Sequence, residues 1–130
     1  MKRRDFARRP GCAVEATLDL IDGKWKGVIL FHLQGGTQRF GELRKRMPGI
    51  TQRMLTKQLR ALEGDKLVIR KVYAEVPPRV EYRLSEIGES LRPVIDTLRA
   101  WGESHQAALS CGPEAEIAEA DRAAPRALTG

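Results

Sequence analysis

The sequence predicts an α+β, mainly helical fold: a winged helix-turn-helix with extra helices at its N- and C-terminal ends. Three observations predict it. From Arg39 to Leu84 the order of elements is a short extended piece, two helices joined by Pro48-Gly49, and two strands separated by Pro77-Pro78. The same stretch holds twelve Lys and Arg against five Asp and Glu, a net +7, more than the +6 of the whole chain. Apolar residues at helical spacing flank it on both sides.

Residues 1–9 carry Lys2, Arg3, Arg4, Arg8 and Arg9 against Asp5 and read as a mobile basic arm ended by Pro10-Gly11. Val14, Leu18 and Ile21 then recur at helical spacing and predict a first short helix over 12–21. Asp22-Gly23 breaks it. A second helix, 24–33, places Trp25, Val28, Ile29 and Leu33 on one face, and Gln34-Gly35-Gly36 closes it. Thr37 to Phe40 is extended. Gly41 to Met47 is a two-turn helix anchored by Phe40, Leu43 and Met47, and Pro48-Gly49 makes the turn. Thr51 stands where an N-cap belongs, its hydroxyl able to accept a backbone N–H. The helix it opens runs from Gln52 to about Gly64, with Leu55, Leu59 and Leu62 as its apolar face.

Leu67 to Tyr73 and Val80 to Leu84 are rich in β-branched and aromatic residues and read as strands. Ala74 to Arg79, with its two prolines, is the hairpin tip, because proline cannot continue a central ladder. A last helix spans 86–110. Leu91, Val94, Leu98, Trp101, His105 and Ala108 are spaced 3-4-3-4-3 along it, the stripe of a helix that pairs with another helix. Pro93 kinks or breaks it. Beyond it, 111–130 is Ala-, Glu-, Arg- and Pro-rich and reads as a disordered tail. One domain over 10–110 is expected.

Composition narrows the function. A pI near 9.7 suits an anionic partner. No apolar run approaches the ~20 residues needed to span a bilayer, and the basic N-terminus lacks the apolar segment of a secretory signal. Two cysteines make no disulfide framework, so a cytoplasmic protein with reduced thiols is expected. There is no P-loop, no Rossmann fingerprint and no G-x-S-x-G, which argues against an enzyme and implies no cofactor. Cys12, His32, His105 and Cys111 lack metal-motif spacing, so no metal site is expected.

A recognition helix presents its N-terminal residues to base edges in the major groove. Here these are Thr51, Gln52 and Arg53, with Lys57 one turn on. Gln pairs with adenine and Arg with guanine by bidentate hydrogen bonds. Lys57 and Arg60 suit phosphates, as does Arg79 beside the wing tip, and Arg39 joins them as a DNA-contact candidate. The plainer reading of the same helix is a solvated amphipathic face. Cys12 begins the first helix, close in sequence to Arg8 and Arg9, surroundings that favour a reactive thiolate. Its alternative is a buried structural cysteine. Cys111 is either a resolving thiol for Cys12 of a second subunit or an idle one.

The chain resembles the HxlR-type winged-helix transcriptional regulators. The matching pieces are Cys12-Ala13-Val14-Glu15 with Thr17-Leu18, Gly23-Lys24-Trp25, Arg39-Phe40-Gly41-Glu42-Leu43 and Gly49-Ile50-Thr51. Leu55-Thr56-Lys57-Gln58-Leu59-Arg60-Ala61-Leu62-Glu63 and Val76-Pro77-Pro78-Arg79-Val80-Glu81-Tyr82 complete them. The resemblance covers about residues 10–105, in the family's order. It implies a homodimer built from the terminal helices that binds double-stranded DNA as repressor or activator, and two-fold symmetry then predicts an inverted-repeat operator. It also implies a response to quinones, aldehydes, hypochlorite or similar electrophiles through Cys12, with Cys111 a partner for an intersubunit disulfide. A regulator controlled by a reversibly bound small ligand, with Cys12 inert, is the alternative. Two positions depart from the pattern. Ala13 stands where the family has proline, and Lys66 where it has glycine. If the backbone at Lys66 is left-handed, lysine costs about 1 kcal/mol relative to glycine.

Overall fold

The structure is a computed structural model that describes residues 10–109. The basic arm, Cys111 and the acidic-and-alanine tail lie outside the described residues. Seven helices and three strands follow in the order α1 (Cys12–Leu20), α2 (Lys26–Leu33), β1 (Gln38–Arg39), α3 (Phe40–Lys45), α4 (Gln52–Gly64), β2 (Val68–Tyr73), β3 (Arg79–Leu84), α5 (Glu86–Ser90), α6 (Arg92–Ser104) and α7 (Gln106–Leu109). The chain divides into two compact units between Pro93 and Val94.

The first unit is a helix-turn-helix on a small antiparallel sheet of order β1-β3-β2. Its core is aliphatic: Ile29, Leu30 and Leu33 from α2, Leu43 and Met47 from α3 and its end, and Leu55, Leu59 and Leu62 from α4. Each such side chain contributes about 2 kcal/mol when buried, which holds the helices on the sheet more strongly than their local propensity does. α2 turns a different face inward from the one its sequence suggests. Leu30 is fully buried, whereas Val28 is 38% exposed. The helix is short, and its buried arc is set by α4 and β3, against which it packs.

The sheet register assigns its two faces. Val68 pairs with Leu84, Arg70 with Tyr82 and Val72 with Val80, and from this face Val68, Tyr82 and Leu84 are buried. Lys71 pairs with Glu81 and Tyr73 with Arg79 on the other face. β1 adds Arg39 opposite Glu81 there. The wing tip is shorter than expected, because Arg79 is already the first residue of β3. The Val76–Pro77 peptide within it is cis.

The helix expected over 86–110 is three pieces. Ser85 caps α5, its hydroxyl accepting from Gly88 N at 2.9 Å while donating to Lys66 O at 2.6 Å. α5 ends at Ser90, and after Leu91 the chain restarts as α6, whose second residue is Pro93, a first-turn position where the missing N–H has no intrahelical partner to lose. A second interruption falls at His105, between α6 and α7. Gly88 is buried because α5 crosses close to the chain: a Cβ there would lie 2.2 Å from Leu67 O.

Candidate nucleic-acid interface

The turn between α3 and α4 is built by four residues. Pro48 presets its first corner, Gly49 takes φ +94°, and Ile50 N donates to Met47 O at 3.2 Å. This is the Pro-Gly signature of a type II turn. Met47 and Ile50, on either side, are both buried and pin the turn to the core. Arg39 N donates to Glu42 Oε1 at 2.8 Å and so closes the first turn of α3.

Thr51 caps α4 as its position suggests: its backbone is extended and its Oγ1 accepts from Met54 N at 3.0 Å. The hydroxyl keeps its own proton free to donate. With Leu55, Leu59 and Leu62 buried, the opposite face of α4 is fixed. Arg53, Lys57 and Arg60 fall on it at i, i+4 and i+7, all exposed, with exposed Gln52 at its N-terminal end. The structure therefore brings four of the expected contact residues onto one solvent-facing stretch of α4, three of them cationic.

Two further devices position α4, and of their residues the sequence pointed only to Lys66. Its C-terminus is a Schellman motif: Leu67 N donates to Leu62 O and Lys66 N to Glu63 O, both at 3.0 Å, with Leu62 and Leu67 fully buried as the apolar pair. Lys66 takes the left-handed position at φ +67°, as its place after the helix suggests. Glu63 then accepts from Arg70 Nε at 3.0 Å, tying α4 to the wing strand β2. Tyr82 lies within this charge field. Burial pushes its hydroxyl above the ordinary phenol value, Arg70 and Arg60 pull it down, and Glu63 pushes it up.

Arg79 is not extended toward solvent. Its guanidinium lies 3.9 Å from the Tyr73 ring centroid, with Nη2 3.2 Å from Glu75 Oε2 and Nη1 3.7 Å from Glu81 Oε2. Its Nε is buried without a hydrogen-bond partner. Arg39 is exposed at the end of β1, away from α4 in the chain but opposite Glu81 in the sheet. Glu75, Glu81 and Tyr73 were absent from the expected site. The Glu75–Arg79 spacing of four and the Arg79–Glu81 spacing of two were visible, but the cross-strand pairing that adds Tyr73 depends on register.

Cys12 is the first residue of α1, behind Gly11 at φ +87°, and is only 4% exposed. This is the burial expected of its structural reading. His32, on α2, is held below the ordinary imidazole value, first by burial and then by the positive charge of Arg46. His105 stacks on Trp101 at 4.1 Å, within the second unit. Among the described residues no group of His, Cys, Asp and Glu is placed to hold a metal ion, and no helix is long and apolar enough to cross a membrane.

Comparison with known proteins agrees with this geometry. The model of the HxlR-like helix-turn-helix family matches residues 20–109. The chain is 50% identical over 105 residues to the HTH-type transcriptional regulator YybR of Bacillus subtilis, covering 81% of this chain and 84% of that one. Among solved structures, the redox regulator HypR in its reduced form superposes with a TM-score of 0.72 at 52% identity, over 75% of this chain and 96% of HypR. The transcriptional regulator YodB of B. subtilis, in its reduced form, gives 0.62 at 35% identity, over 70% and 89%. The buried core, the capped helix α4 and the β-hairpin wing are thus those of a DNA-binding transcriptional regulator, and the chain belongs to the HxlR-like helix-turn-helix family.

Proposed function

We propose that the protein is a homodimeric, sequence-specific regulator that reads an inverted-repeat operator with α4 and changes its DNA affinity when Cys12 meets an oxidant or electrophile. The observation that carries the DNA-reading part is the exposed stripe Arg53, Lys57 and Arg60 opposite the buried leucines of α4. Gln52 and Arg53, in the first turn, are assigned to base edges, and Thr51 beside them to a base or phosphate. Lys57, Arg60 and Arg39 are assigned to phosphates.

The regulatory part draws on two supports. HypR has solved structures described as reduced and as oxidized, and YodB one described as diamide-treated. Cys12 begins a helix whose Val14 and Leu18 are 62% and 55% exposed in the single chain, an apolar face suited to pairing with a second subunit. Modification of Cys12 would then shift α1 and, through a dimer interface, the spacing of the two recognition helices. The burial of Cys12 favours a second reading, in which the thiol is inert and a reversibly bound small ligand supplies the signal.

Binding to the DNA upstream of the protein's own gene, before and after diamide or a quinone, separates the two. The redox reading expects the affinity of the parent to change at least tenfold and that of Cys12→Ser to stay constant. An equal response from both proteins, or none from either, would remove Cys12 from the mechanism and leave the ligand reading.

A further inference from the structure

We propose that Glu75 is a specificity-determining residue of the wing: it cages Arg79, which reaches a DNA phosphate only by giving up that carboxylate. The proposal rests on the DNA-binding reading above and adds to it how the wing's cation is kept from sequence-independent contacts.

The cage is built by the hairpin register. Tyr73 and Arg79 are the last cross-strand pair before the tip, so their backbones are fixed opposite one another. The guanidinium lies over the Tyr73 ring at 3.9 Å, a cation–π distance. Glu75 reaches it from the tip at 3.2 Å, and Glu81 from the same strand at 3.7 Å. Glu75 and Glu81 offset the charges of Arg79 and of Lys71, whose Nζ lies 4.9 Å from the same ring centroid, so the closed cluster has no net positive charge to offer a phosphate.

The two carboxylates are not equivalent. Glu81 has a second cation available, because Lys71 is its cross-strand partner. Glu75 sits in the irregular tip with its side chain 48% exposed, so its pair with Arg79 is screened by water and readily exchanged. The guanidinium is also incompletely satisfied, since Nε is buried with no acceptor. A phosphate offers several acceptor oxygens to the guanidinium fork once Glu75 has left it. Exchange is therefore favoured only when the recognition helix has already brought a phosphate to the wing. Operator DNA in register meets that condition, and a transient encounter on other DNA does not.

The test uses the full chain and its Glu75→Gln, Arg79→Gln, double and Arg53→Ala variants, binding a fixed random-sequence duplex and the operator over a salt series. Glu75→Gln is expected to tighten binding to the random duplex and to steepen its log–log salt dependence by about 0.9 for each wing that gains a phosphate contact. Per wing, that is an additional loss of about threefold between 50 and 200 mM salt. In the Arg79→Gln background the same substitution is expected to leave the slope unchanged. An equal gain in that background would mean that Glu75 acts only as a bulk negative charge and would overturn the cage. So would an unaltered slope in Glu75→Gln. Arg53→Ala distinguishes the two levels: if it weakens operator binding while Glu75→Gln changes nothing, the cage alone fails, and if it too has no effect, the interface assigned to α4 fails with it.

Discussion

Lys66 is the residue where local chemistry and the fold disagree most openly. Among the described residues it is the one non-glycine with a positive φ, +67°, and it holds the C′ position of the Schellman motif that ends α4. A Cβ there is strained against its own backbone, while the motif's hydrogen bonds are backbone only and survive any side chain. Lys66→Gly is therefore expected to stabilise the protein by about 1 kcal/mol, read as a higher urea midpoint with an unchanged m-value. A lower midpoint would mean that the lysine side chain makes a stabilising contact. The departure from the family pattern was visible in the sequence, and the left-handed backbone supplies its physical meaning. His32 gives a second expectation. Burial and Arg46 hold its folded pKa below the ordinary value of about 6.5. As pH falls through that value, the unfolded chain takes up a proton that the folded chain refuses. Stability is then full above about pH 6.5 and is lost as pH falls toward the folded pKa. Melting temperatures of the parent should drop more steeply from pH 7 to pH 5 than those of His32→Gln, and parallel curves would contradict this.

At the scale of elements, α4 was legible because several signals coincide in it. Thr51 is a good cap, three leucines repeat at helical spacing, and the polar residues take the opposite face. The wing strands were legible from their β-branched residues, but the role of Arg79 was not. Glu81 follows Arg79 two residues on along the same strand, but Tyr73 lies across the hairpin, and only the register Tyr73–Arg79 brings that ring to it. The last helix was legible as helical with a break near Pro93, but not with the second break at His105. Its stripe survives in α6, where Val94, Leu98 and Trp101 are 38%, 53% and 56% exposed in the single chain. Exposed apolar side chains at 3-4 spacing are the pattern of a helix that pairs with another. A dimer through this face predicts that Leu98→Glu shifts the protein from dimer to monomer in analytical ultracentrifugation at micromolar concentration. A dimer that persists unchanged would place the subunit contact elsewhere.

For the whole molecule, charge and fold point the same way. The +7 carried by residues 39–84 exceeds the +6 of the entire chain, and the buried leucines of α4 turn part of that charge outward as one stripe. Phosphate contacts supply affinity on any sequence, and base contacts discriminate among sequences. In a two-fold dimer the half-sites lie one or more helical turns apart, about 10 bp each. The most direct test compares the parent, Arg53→Ala and Lys57→Ala on an operator and on its set of single-base variants at fixed salt. Arg53→Ala is expected to lose about 1–3 kcal/mol and its preference at one base pair of each half-site, while Lys57→Ala weakens all sequences alike. Equal, sequence-independent losses for both variants would contradict this and make α4 a phosphate-binding surface alone.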